Sequence, residues 1–123
     1  MTAITTTARG TVVTALATVT ANIYDSVAKA PVPPAVVIVP DNPWITPMTI
    51  GNRLRVENKL RAMCCVRDSQ DNLPQLEQLV EDVLVALPAA AQVNEVTAPQ
   101  SLDTGPQGSL LVAEIRFTLH LKE

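Results

Sequence analysis

The adjacent thiols Cys64 and Cys65, the single histidine His120 and the carboxylates Glu77, Glu81 and Asp82 are the side chains of this sequence best suited to chemistry. A reactive thiolate needs a base or a positive charge beside it to lower its pKa. Cys64 falls on the apolar side of the alternating run "RLRVENKLRAMCCVR", where a free cysteine behaves as a small hydrophobe. Cys65 faces the other way, with no histidine nearby in sequence. Adjacent cysteines oppose a mutual disulfide, and two are too few for a secreted disulfide framework, so synthesis in a reducing cytosol is expected. His120 lies on the polar face of the last alternating run and reads as a solvated surface histidine. The carboxylates fall on the water side of an amphipathic helix, where Glu77 and Glu81 are one turn apart and repel slightly. Four glycines build no phosphate-cradling loop, and no His/Cys set has metal-ligand spacing. The expectation is a chain that is not an enzyme and carries no catalytic, cofactor or metal site.

Recognition is the other chemistry to weigh. Arg53, Arg55, Lys59, Arg61 and Arg67 place five of the nine Lys and Arg residues within fifteen positions, all on the polar side of one alternating run. Charged residues are ordinary on a solvated strand face. As a binding surface, this one lacks the aromatic platforms that usually accompany a phosphate grip. An acidic protein surface is therefore the expected counterpart, such as Glu77 and Glu81 of a neighbouring copy. Trp44 stands between Pro43 and Pro47 and could cover an edge of the core or anchor an interface. Stiffening by proline favours the interface, because a rigid loop loses less entropy on docking, and Trp44 with Ile45 is assigned there.

The elements that position these residues follow from periodicity. Val12, Val13, Leu16, Val19 and Ile23 recur at helical spacing from Thr7 to about Ile23, with Thr11, Thr14 and Thr18 facing away. "KAPVPP" ends that helix, and "AVVIV", Ala35 to Val39, reads as a short β-branched strand. Pro40 to Gly51 reads as an extended, proline-stiffened loop. Residues 53 to 67 predict one long half-buried strand, or two joined by a bulge near Asn58, with Leu54, Val56, Leu60, Ala62, Cys64 and Val66 inward. Pro74 opens a second helix whose apolar stripe is Leu76, Leu79, Val80, Val83, Leu84 and Leu87, and Pro88 ends it. "QVNEVTA" is a further strand, "SLDTGPQGS" a turn, and "LLVAEIRFTLHL" a closing strand with Leu111, Ala113, Ile115, Phe117, Leu119 and Leu121 inward. The predicted fold is a single α+β domain over residues 1–123, with two helices and a mostly antiparallel sheet of about four strands in the order α-β-β-α-β-β.

The 123 residues suit one core, and a net charge of −3 gives no sign of a general nucleic-acid or membrane binder. With only 2% aromatic residues, the core is filled by Val, Leu, Ile and Ala, and burial against other subunits is a natural supplement. "MTAITTTARG" lacks a basic segment followed by an apolar one, and no apolar run reaches the roughly 18 residues of a membrane span, so neither export by that route nor membrane insertion is expected.

In order and length the pieces "VPPAVVIVP", "PWITPMTIG", "LRAMCCVRDS", "LEQLVEDVLVAL" and "LVAEIRFTLHL", preceded by an amphipathic helix, resemble the tail terminator, or tail-completion, proteins of long-tailed bacteriophages. That resemblance implies a structural virion protein, made in the host cytoplasm. It forms a homo-oligomeric ring, usually a hexamer, that caps the tail tube, stops its polymerisation and joins the head-completion proteins. DNA would only pass through the lumen. The fewer aromatics and glycines depart from many members. Competing readings are another neck connector or a minor capsid or head-closure protein and, from a different class, a small ligand- or nucleic-acid-binding domain.

Overall fold

Threonine and β-branched residues decide how far the first helix runs. The structure, a computed structural model, describes residues 3–24, 32–47, 55–68, 72–103 and 108–122. Helix α1 spans Ile4–Ala15, with Ala8 and Val12 buried, and Thr11 Oγ1 donates back to the Thr7 carbonyl at 3.1 Å. A 3₁₀ turn, Leu16–Thr18, buries Leu16, and the chain then becomes extended at Val19. Asn22–Tyr24 forms strand β1 rather than the predicted last helical turn, which corrects the expected helix end near Ile23. The run from Thr18 to Tyr24 is rich in residues that lose χ1 freedom in a helix, and it gains a ladder instead, pairing in parallel with Ala35–Val37.

Strand β2 spans Ala35–Pro47, so the expected loop from Pro40 is strand as far as Pro47, and residues 48–51 lie outside the described residues. Ala35–Pro40 pair with Cys65–Leu60 of strand β3, Arg55–Arg67, and Ile45–Pro47 pair with Asn58–Val56. Between those two ladders four residues of β2, Asp41–Trp44, stand against one residue of β3, Lys59. The irregularity expected near Asn58 is therefore an excursion of β2, while β3 pairs without interruption with strand β6, Ser109–Lys122, from Arg55↔Lys122 to Arg67↔Leu110. Arg53 and Leu54 lie outside the described residues.

Helix α2, Leu73–Ala86, starts with Pro74 in its first turn and buries Leu76, Leu79 and Val83. Val80 and Leu87 are partly buried, but Leu84 is exposed, so the stripe is narrower than predicted. Beyond it, strands β4, Gln92–Val96, and β5, Gln100–Asp103, pair with successive halves of β6. Thr97 bridges them: its N–H donates to the Glu114 carbonyl at 2.9 Å and its hydroxyl accepts from the Glu114 N–H at 3.0 Å.

The result is a mixed six-stranded sheet in the order β1-β2-β3-β6-β4, with β5 alongside β6. The α+β class and the two helices agree with expectation. Among the described residues the sheet has six strands rather than about four, and one pair is parallel. Both helices cover the face carrying Val36, Ile38, Leu60, Ala62, Cys64, Ile115 and Phe117. On the opposite face a smaller buried cluster joins Ala35, Cys65, Leu110 and Val112 to Tyr24 and Met63. Among the described residues no helix is long and apolar enough to cross a membrane.

Candidate assembly surfaces

Burial separates the side chains that could react from those that could bind. Cys64 and Cys65 point to opposite faces of β3 and both are buried and free. Burial pushes the Cys64 thiol up to about 12, with a smaller push from Cys65, and burial alone takes Cys65 to about 11. Neither is a thiolate near neutral pH. His120 is exposed, with Nε2 3.4 Å from Gln92 Oε1. Asp82 accepts from Gln78 at 2.8 Å on the outer side of α2. Among the described residues no group of His, Cys, Asp or Glu has the arrangement to hold a metal ion.

The strand face away from the helices is a mixed charge ladder rather than a purely basic surface. Arg61 on β3 lies 3.1 Å from Glu114 on β6 through Nη1 and 3.8 Å from Asp41 on β2 through Nε. Arg116 on β6 lies 2.8 Å from Glu95 on β4 and 3.9 Å from Glu114. Cross-strand neighbours of opposite charge stabilise a sheet modestly. Arg61 is thus engaged within its own chain, although it was grouped with Arg55 and Lys59 as a partner for another copy. Arg55 is exposed, Lys59 is half-buried, and among the described residues neither has an ion pair.

Trp44 closes the β2 excursion, 42% exposed, one residue before the chain regains its pairing at Ile45 opposite Asn58. Ile45 is half-buried and paired with Asn58. The excursion faces outward at an edge, because β1 pairs only with Ala35–Val37.

At the other side of the sheet, α2 and the β4–β5 edge enclose an open groove of about 240 Å³. Leu76, Val80, Val96, Pro99 and Ala113 give it apolar walls, and Glu77 and Glu81 stand on its helical side. Both carboxylates are on exposed positions of α2, and among the described residues neither has a cationic partner. Val93 and Val96 beside it are 41% and 42% exposed. Sequence reasoning placed Glu77 and Glu81 on a solvated helix face but missed the groove. Only the placement of β4 beside α2 makes a wall of Val96 and Pro99. Compared with known proteins, the chain matches no family model and no curated protein sequence.

Proposed function

We propose that this chain is a structural neck protein of the tail-terminator kind: a homo-oligomeric ring, a hexamer by resemblance, that caps a phage tail tube and offers its other face to the head-completion proteins. Its place is the virion, and DNA passes through the lumen without being bound as a substrate. The observation that carries the reading is the position of two unlike surfaces. Exposed Trp44, with Arg55 and Lys59, belongs to the β2–β3 side of the sheet, and Glu77 and Glu81 border the α2–β4 side. Complementary patches at opposite lateral edges make contacts head to tail, and head-to-tail contacts that close give rings. The order α1, β2, β3, α2, β6 supports it further, since those elements carry the resemblance.

Light scattering across concentrations, followed by addition of the protein to polymerising tail-tube protein, tests the proposal. The expected result is an assembly of fixed stoichiometry that stops tube growth at about one ring per tube end. A chain that stays monomeric and leaves tube length unchanged refutes it. A ring that binds the head connector but ignores the tube favours the head-closure reading.

A further inference from the structure

We infer that the groove between α2 and the β4–β5 edge is a socket for Trp44 of a second copy of this chain. The inference rests on the ring reading only in so far as copies must meet. Four observations carry it.

The first is size. At about 240 Å³ the groove falls below the roughly 300–1,000 Å³ of small-molecule sites and suits a single large side chain. The second is polarity: its walls are apolar, and the large aromatic with exposed surface is Trp44, held at the end of an excursion rather than packed inward. The third is charge. Glu77 and Glu81 at the groove have no cationic partner among the described residues, while Trp44 belongs to the excursion of β2 that stands against Lys59, and Arg55 follows on the same face of β3, with Glu57 between them leaving a net positive charge. A chain that offers Trp44 to the groove thus brings cations towards the two carboxylates. The fourth is topology. Strands β3 and β6 separate the β2 edge from the β4 edge, so a chain cannot fill its own groove with its own Trp44. Each contact leaves one anchor and one socket free for the next copy.

Trp44 is the only tryptophan, so its fluorescence reports the contact directly. In the wild-type chain its emission should move to shorter wavelength, and acrylamide quenching should fall, over the concentrations at which the mass rises. Trp44→Ala removes the anchor, and Val96→Arg fills the groove mouth with a cation beside the two carboxylates. Both residues are substantially exposed, so the fold should tolerate both changes. Each variant alone should self-associate about 30-fold more weakly or worse, the loss expected for an interface anchor. Mixed together, they should form a one-to-one pair, because the intact Trp44 of the Val96→Arg chain meets the intact groove of the Trp44→Ala chain, and growth stops there. If Val96→Arg melts early, the Glu77→Lys/Glu81→Lys variant replaces it in the mixture. An assembly that forms while Trp44 stays fully open to quencher overturns this inference and leaves the ring reading standing. So does a mixture that fails to pair although the wild-type chain assembles. A wild-type chain that never associates overturns both.

Discussion

Asn58 offers the sharpest test of how the sheet is built. It is 0% exposed on the apolar side of β3, between Val56 and Leu60 on its own strand and opposite Ile45 and Leu119 on the neighbouring strands. Among the described residues neither its Nδ2 nor its Oδ1 has a hydrogen-bond partner. A buried amide without partners costs about 1–3 kcal/mol in desolvation that folding does not return. Valine is close to asparagine in size and suits a strand, so Asn58→Val removes that cost and adds apolar contact. The expected gain is about 1–3 kcal/mol, each kcal/mol corresponding to a rise in Tm of roughly 3–6 °C for a domain of this length. Asn58→Asp keeps the shape and adds a charge where burial favours the neutral form, so it should destabilise the protein at neutral pH. Burial raises the folded carboxyl pKa above its unfolded value, so that loss should shrink as pH falls into the carboxyl range. Thermal and urea melts of the three proteins decide the matter. A valine variant less stable than wild type would refute the reasoning, because it would show that the amide makes stabilising interactions.

Phe117 is fully buried, paired with Leu60 and Val93, and is the largest such side chain, so Phe117→Ala should cost about 3–5 kcal/mol in a thermal melt. His120→Ala, on an exposed position of the same strand, should be nearly silent, and the opposite ranking would mean the faces of β6 are reversed. The buried thiols set an alkaline limit. The unfolded chain releases their protons near 9.0 while the folded chain holds them up to about 11 and about 12, so their contribution is complete below the unfolded value and is lost as pH rises through that window. Urea midpoints should fall between about pH 9 and about pH 12, and less steeply in a Cys64→Ala/Cys65→Ala variant. Equal slopes would show that the thiols are not the cause.

Where one periodicity dominated, the elements could be read from the chain alone. Among the described residues, helix α2 and strands β3 and β6 bury or partly bury the side chains their patterns picked out, apart from Leu84 at the margin of α2. The failures have physical causes. The stretch from Thr18 to Tyr24 fits a helical spacing and a strand equally well by hydrophobicity, and the free edge beside Ala35–Val37 decided for strand. Prolines at 40, 43 and 47 suggested a loop, yet an edge strand tolerates proline where no ladder partner needs its missing N–H. Asn58 looked like a break in alternation because it is polar. Its backbone keeps strict alternation, and the irregularity lies across the ladder in β2. The ion pairs of Arg61 were not legible either, because only the register of β2, β3 and β6 places Asp41 and Glu114 beside it.

The two lateral edges of the sheet now bear on how copies can meet. Continuous edge-to-edge pairing would need a row of free N–H and C=O groups on both sides of the contact. The β4–β5 edge is interrupted at Thr97–Pro99, and the outer stretch of β2 carries Pro40, Pro43 and Pro47, each without an N–H to donate, together with the outward excursion of Asp41–Trp44. A ribbon of copies joined strand to strand is therefore opposed on the β2 side by its own backbone. What that edge offers instead is a side chain, and what the α2–β4 edge offers is a groove of about 240 Å³ with two carboxylates beside it. A knob seated in a socket fixes the angle between neighbours more narrowly than a slippable ladder does, since a ladder can shift register. Repeated head to tail, a fixed angle gives a ring where the rotation closes and an open helical filament where it does not.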